Sequence, residues 1–151
     1  MSYDREQQAV IRLMAGAMVG LGLLACGGTR QVPEADHPAA PLAGTEWSLV
    51  LLNGKPADAG NGGKPATLTL TTADNRVSGF AGCNRLAGAF KVAGDSLTLG
   101  PLILTRMACP SGMELEQQFT NALGATRRYR IDDHRLELLS DSGVVASLES
   151  K

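Results

Sequence analysis

The chain has 151 residues, of which 44% are hydrophobic, 19% are charged and 4% are aromatic. This composition is typical of a globular protein with a single domain. The 14 Lys and Arg residues are balanced by 15 Asp and Glu residues, which gives a formal net charge of -1. Because no excess of positive charge is available to hold a phosphate backbone, nucleic acid is excluded as an expected partner.

The first 25 residues have the layout of a secretory signal peptide. Arg5 and Arg12 supply positive charge, and the apolar run 13–25 leads into Leu-Leu-Ala-Cys, which ends at Cys26. The run is about 13 residues long, whereas a transmembrane helix needs roughly 20, so a permanent membrane span is the poorer alternative. The tetrapeptide resembles the bacterial lipobox, in which the cysteine receives a diacylglycerol before cleavage. We therefore expect lipidation at Cys26.

Residues 26–42 are expected to form a flexible tether. The stretch contains three prolines, several small residues and no apolar periodicity, which is the composition of a linker. Gly27, and not an aspartate, follows Cys26, and in familiar lipoprotein sorting this favours the outer membrane. We expect a monomeric domain at 43–150, anchored in the outer membrane through lipid and facing the periplasm.

The first half of the domain carries the patterns of short antiparallel strands. The stretch 66–71 alternates Leu and Thr, which places apolar side chains on one face and hydroxyl groups on the other. Turn residues such as Asn53-Gly54 separate the runs. The predicted strands of this half are 44–52, with Trp47 in the core, 66–71, 76–80, 86–92 and 96–99.

A helix is predicted next, followed by more strands. Ser111 and Glu114 have the spacing of a capping box, and Gly124 is a plausible stop. The apolar residues that recur at helical spacing are Met113, Leu115, Phe119, Ala122 and Leu123. The closing strands are predicted at 128–131, 135–139 and 144–148. The fold class is therefore α+β and mainly antiparallel β, a compact meander or partly open barrel with one α-helix.

Two cysteines, Cys83 and Cys109, lie beyond the lipidation site. In an exported chain an internal disulfide is the natural pairing, although two buried thiols are an alternative. A catalytic thiol would need a base, and the domain offers only His134, with nothing in the sequence that ties it to either cysteine. Two cysteines and one histidine fall short of a closed zinc site. We expect no metal and no cofactor.

Three blocks of sequence resemble the META domain family, which includes the HslJ-type heat-inducible lipoproteins of bacteria. The blocks are Leu-Ala-Gly-Thr-Glu-Trp at 42–47, Gly-Cys-Asn-Arg-Leu-Ala-Gly at 82–88 and Thr-Arg-Met-Ala-Cys at 105–109. The resemblance implies a compact, mainly antiparallel β fold with a helix. It also implies an association with heat or envelope stress or with drug tolerance, and it supplies no established catalytic residue.

For the block around Asn84, we favour a structural role over a ligand-binding role. Gly79, Gly82 and Gly88 indicate a turn with positive φ and close backbone approach, in which the Asn84 side chain ties local backbone groups. Alternatively, Arg85 and Arg106 line a shared cleft that receives an anionic ligand.

For function, we expect a non-enzymatic envelope protein that binds an envelope protein or a small ligand. The alternatives are a ligand carrier in the mouth of a barrel and a thiol-dependent enzyme. The carrier requires that inward residues line a void and do not touch one another. The residues that distinguish a filled core from such a cavity are Leu68, Leu70, Leu97 and Leu138.

Overall fold

The computed structural model describes residues 38–151, so the predicted signal peptide, Cys26 and most of the predicted tether lie outside the described residues. The described part contains nine strands and one α-helix. No helix in this part is long and apolar enough to cross a bilayer. The elements are β1 (Glu46–Leu52), β2 (Lys55–Pro56), β3 (Thr67–Thr71), β4 (Arg76–Phe80), β5 (Arg85–Ala93), β6 (Ser96–Leu104), α1 (Met113–Ala125), β7 (Arg128–Asp132), β8 (Arg135–Ser140) and β9 (Gly143–Ser150).

The strands form one antiparallel sheet that closes on itself. Its order is β2-β1-β3-β4-β5-β6-β7-β8-β9, and an additional pairing of β1 with β9 completes a ring. The contact between β6 and β7 is the weak point of this ring, because only Ser96 and Arg128 are paired there. Helix α1 packs against β6, β8, β9 and β1. The α+β, mainly antiparallel fold expected from the sequence is therefore confirmed, as an irregular barrel with one helix.

The interior of the ring is filled by side chains. The Leu residues of β3 are buried and its Thr residues are not, as the alternation predicts. Trp47 is fully buried, and its indole N–H donates a hydrogen bond of 3.0 Å to the carbonyl oxygen of Leu42. The largest fully buried apolar side chains are Trp47, Leu68, Leu70, Val77, Leu97, Phe119, Leu123, Leu136, Leu138 and Leu148.

The helix begins differently from the prediction. Gly112 is the N-cap residue, with a left-handed conformation at φ 86°, and no side chain caps the helix. The predicted capping box of Ser111 and Glu114 is therefore wrong. Glycine adopts a left-handed conformation at no steric cost. Because Gly112 occupies the N-cap position, Ser111 lies one residue outside it and its side chain does not cap the helix. Met113, expected on the buried face, is 48% exposed.

Two other boundaries differ from the sequence expectation. Helix α1 continues through Gly124 to Ala125, and the hydroxyl group of Thr126 donates to the carbonyl oxygen of Ala122. Strand β6 runs past the predicted end at Leu99 to Leu104. The register against β5 shifts between Gly88 and Phe90, so a bulge absorbs the Gly-Pro pair at 100–101 and the strand resumes beyond it.

Phe119 attaches the helix to the sheet, because its ring is fully buried. We expect Phe119→Ala to lower the free energy of unfolding by about 3–5 kcal/mol, since the lost ring leaves a cavity in a close-packed core. Met113→Ala, on the same helix but at a half-exposed side chain, should change stability by less than about 1 kcal/mol. Urea denaturation of the two variants measures the difference, and equal losses would contradict the assignment of Phe119 to the core.

Candidate functional site

The turn between β4 and β5 is organised around the side chain of Asn84, which is 3% exposed. Its Oδ1 atom accepts a hydrogen bond of 2.8 Å from the backbone N–H of Met107 and another of 2.8 Å from the hydroxyl group of Thr105. Its Nδ2 atom donates to the carbonyl oxygen of Met107 at 3.2 Å. The sequence suggested that this side chain ties backbone groups of its own turn. The backbone groups that it bonds are instead those of Met107, 23 residues along the chain, and within its turn Nδ2 reaches only the Cys83 sulfur atom at 3.4 Å.

Helix α1 contributes a further partner of Asn84. The carboxylate of Glu116 accepts from Asn84 twice, from Nδ2 at 3.1 Å and from the backbone N–H at 2.5 Å. Glu116 was not predicted as a site residue. The separation of 32 residues along the chain hides the pair from any local pattern. Asn84 thus holds together the β4–β5 turn, the segment after β6 and the first turn of the helix.

A disulfide reinforces the same junction. Cys83 and Cys109 are joined with an S–S distance of 2.05 Å and a Cα–Cα distance of 5.8 Å. With both sulfur atoms in this bond, neither is a free thiol. His134 lies in the β7–β8 turn, where its Nδ1 atom is 3.1 Å from the Ser150 hydroxyl oxygen. Within residues 38–151, no group of three or more His, Cys, Asp or Glu side chains is placed to hold a metal ion.

Backbone segments meet at Gly82 without room for side chains. Gly82 has a positive φ of 129°. A Cβ atom built on Gly112 would lie 2.2 Å from the carbonyl oxygen of Gly82, so no side chain fits at Gly112. The Gly82 carbonyl oxygen accepts a hydrogen bond of 2.6 Å from the N–H of Asn61. Gly79 and Gly88 have no positive φ, but a Cβ atom on Gly79 would lie 2.0 Å from the carbonyl oxygen of Thr67. The predicted close backbone approach is therefore present.

Two surface depressions flank this junction. The first, which we name the polar cleft, lies on the outer face of β3, β4 and β5 and has a volume of about 880 Å³. Arg85 lines it, together with Thr105 and Met107 at its border. Its principal side chains are Lys64, Thr67, Thr69, Ser78, Phe80 and Arg85.

The second depression, which we name the helix groove, lies between the end of β6 and helix α1 and has a volume of about 1090 Å³. Arg106 lines this groove and not the polar cleft. The groove carries exposed apolar side chains, with Ile103 71%, Met107 60% and Met113 48% exposed. Arg85 and Arg106, expected in one shared cleft, therefore line two different depressions that meet at Thr105 and Met107.

The four inward leucines do not line either depression. Leu68, Leu70, Leu97 and Leu138 are each fully buried and belong to one packed hydrophobic cluster. An interior ligand would need these side chains to stand apart. The described structure offers its concave surfaces on the outside of the barrel.

The structure places all three motif blocks: Trp47 lies in the core of the barrel, and Asn84 of the second block bonds to Thr105 and Met107 of the third. Residues 40–151 match the family model described as META domain. The chain belongs to the META domain family. This match covers nearly all of the described residues and confirms the family resemblance of the sequence.

Solved structures show the same fold. A protein from Burkholderia xenovorans, determined by NMR, is 31% identical, with a TM-score of 0.61 over 73% of this chain and 83% of that chain. A second NMR structure is 24% identical, with a TM-score of 0.56 over 72% of this chain and 90% of that chain, and supports the fold alone. Among curated proteins, none is similar enough to this META domain chain to count as a match.

The Asn84 junction makes a prediction about stability. Asn84→Asp keeps the shape of the side chain but removes the amide donor to Met107 and Glu116 and adds a negative charge beside a carboxylate. We expect a loss of about 2–4 kcal/mol in the free energy of unfolding at neutral pH. Asn121→Asp, at an exposed position of α1, is the matched control and should cost less than about 1 kcal/mol. Similar losses in denaturant titrations would contradict the role of Asn84.

The disulfide makes a second prediction. Replacing both Cys83 and Cys109 with serine opens a loop whose ends are 26 residues apart, which restores entropy to the unfolded chain. We expect the free energy of unfolding to fall by about 3–4 kcal/mol. Thermal unfolding of wild type with and without reductant should reproduce this difference. A variant as stable as the oxidised protein would show that the bridge contributes nothing to the fold.

Proposed function

We propose that this META domain protein is a lipid-anchored envelope protein of the HslJ type, which acts by binding and not by catalysis. The anchor is Cys26, at the end of an apolar run followed by a tether of linker composition. Two or three acyl chains hold a protein stably in a bilayer, because each buried methylene contributes about 0.8 kcal/mol. The protein faces the periplasm from the outer membrane and contributes to tolerance of heat, envelope stress or drugs.

The packed interior of the barrel is the single observation that carries the binding part of this proposal. A ring of about eight strands is just wide enough for side chains to fill, and here Trp47, Phe119 and the inward leucines fill it. Binding therefore takes place on the outer surface, where the polar cleft and the helix groove lie beside the Asn84 junction. A carrier with an interior site is the less favoured alternative.

The lipid anchor is tested by metabolic labelling with palmitate in the native bacterium. The wild-type protein should incorporate label, and Cys26→Ser should incorporate none, because the acylated sulfur atom is missing. The double variant C83S/C109S is the matched control and should be labelled as wild type is. Label retained in Cys26→Ser, or absent from wild type, would overturn the lipoprotein assignment.

The stress role is tested by growth of a strain that lacks the protein. We expect poorer growth than the parent at elevated temperature or in the presence of an envelope-active drug, and full recovery with the wild-type chain. Cys26→Ser should not restore growth, since the domain is no longer held at its membrane. The variant is expressed at the abundance of wild type, as checked by immunoblot. Growth equal to that of the parent without the protein would contradict a stress role.

A further inference from the structure

The register of three strands assembles the floor of the polar cleft. Thr69 of β3 pairs with Ser78 of β4, so their hydroxyl groups are cross-strand neighbours on the outer face. One step along, Phe80 of β4 lies opposite Thr67 of β3 and opposite Arg85 of β5. The side chains of such cross-strand pairs are about 5 Å apart. The floor is therefore a hydroxyl row beside a row that contains hydroxyl, aromatic ring and guanidinium.

The hydroxyl groups of this floor are free to bind. Those of Thr67, Thr69 and Ser78 make no hydrogen bond with any group of residues 38–151, unlike the neighbouring Thr105, whose hydroxyl group is engaged by Asn84 and by the N–H of Arg85. Each free hydroxyl group offers one donor and two acceptor sites. A ligand with several hydroxyl groups of its own matches this set.

Phe80 adds an apolar platform. Its ring is half-buried and is not among the partly buried side chains that pack against the core. An aromatic ring on the outer face of a sheet offers a flat apolar surface to a ligand. A pyranose ring has such a surface on one side and hydroxyl groups around its edge.

The cleft also carries unneutralised positive charge. Lys64 and Arg85 line it, and the one acidic side chain among its lining residues is that of Glu46. The ion pairs within residues 38–151 join Arg76 to Asp74, Arg130 to Glu137 and Arg135 to Glu149, so no cation of the cleft is paired with a carboxylate. In a chain of formal charge -1 this is a local excess, and the Arg85 guanidinium presents planar donors that suit phosphate or carboxylate.

We propose that the polar cleft binds an anionic saccharide, a sugar that carries a phosphate or carboxylate group. The sugar ring lies on Phe80, its hydroxyl groups bond to Thr67, Thr69 and Ser78, and its charged group is held by Arg85 and Lys64. Envelope glycans supply both kinds of charge, phosphate on lipid-linked sugars and carboxylate on cell-wall sugars. The inference rests on the proposed binding function and names its ligand class.

The test is saturation-transfer NMR with the full lipidated chain in detergent micelles. The probes are N-acetylglucosamine 6-phosphate, N-acetylmuramic acid, neutral N-acetylglucosamine and inorganic phosphate. We expect at least one anionic sugar to bind at least tenfold more tightly than the neutral sugar and than phosphate alone, and the stronger of the two identifies the charged group. Equal binding of neutral and anionic sugars, or binding of neither anionic sugar, would overturn the proposal.

Variants locate the site. Arg85→Gln and Lys64→Gln should each weaken the anionic sugar about tenfold, and Phe80→Ala should weaken the charged and neutral sugars alike. Arg128→Gln is the matched control, because Arg128 is an exposed arginine on β7 and lines neither depression. Unchanged affinity in R85Q and K64Q would overturn the assignment of the site.

Restoration of growth in the strain that lacks the protein distinguishes failure of this inference from failure of the proposed function. If the double variant K64Q/R85Q fails to restore growth and no anionic sugar binds, the cleft acts but the ligand class is wrong. If the double variant restores growth fully while wild type binds the sugar, the saccharide is not the ligand through which the protein acts. Loss of sugar binding together with loss of growth is the expected result.

Discussion

Asn84 connects the end of the β5–β6 ladder to helix α1, which no strand pairing reaches. Its side chain and backbone N–H join the β4–β5 turn to Met107 and to Glu116 at the start of α1. A buried amide must find partners for both its donor and its acceptor groups, since each unsatisfied group costs about 1–3 kcal/mol. The positions of the segment after β6 and of the helix are therefore coupled. Both surface depressions share walls with this junction, so their shapes depend on it.

The sequence predicts the strands of this fold well because the pattern on each strand has one simple cause. A half-buried strand alternates with a period of two, and β3 shows this with Leu inside and Thr outside. The Asn53-Gly54 turn is equally local, with both residues at positive φ. Features set by tertiary contact were missed. The true start of α1 depends on the close approach of Gly112 to Gly82, and neither residue signals the other in sequence.

The residues of the candidate site likewise fall into those that a local pattern predicts and those that only tertiary contacts reveal. The motif blocks identify Cys83, Asn84 and Arg85 because these residues stand next to one another in the chain. Glu116 and Lys64 carry no local mark, since an exposed lysine in a loop and a glutamate in a helix are ordinary residues. The polar cleft exists only through the register of β3, β4 and β5. Composition likewise cannot reveal that Arg85 and Arg106 line different depressions.

The bond between Cys83 and Cys109 also encloses the hairpin of β5 and β6 in a covalent ring. The turn that joins these two strands, around Gly94, is one exposed point of the ring. A protease that cuts there separates no fragments, because the two new chain ends remain tied through sulfur and through the strand ladder. Under oxidising conditions such a nicked molecule gains only the one water molecule of the hydrolysis and keeps its fold, and the two fragments separate only after reduction.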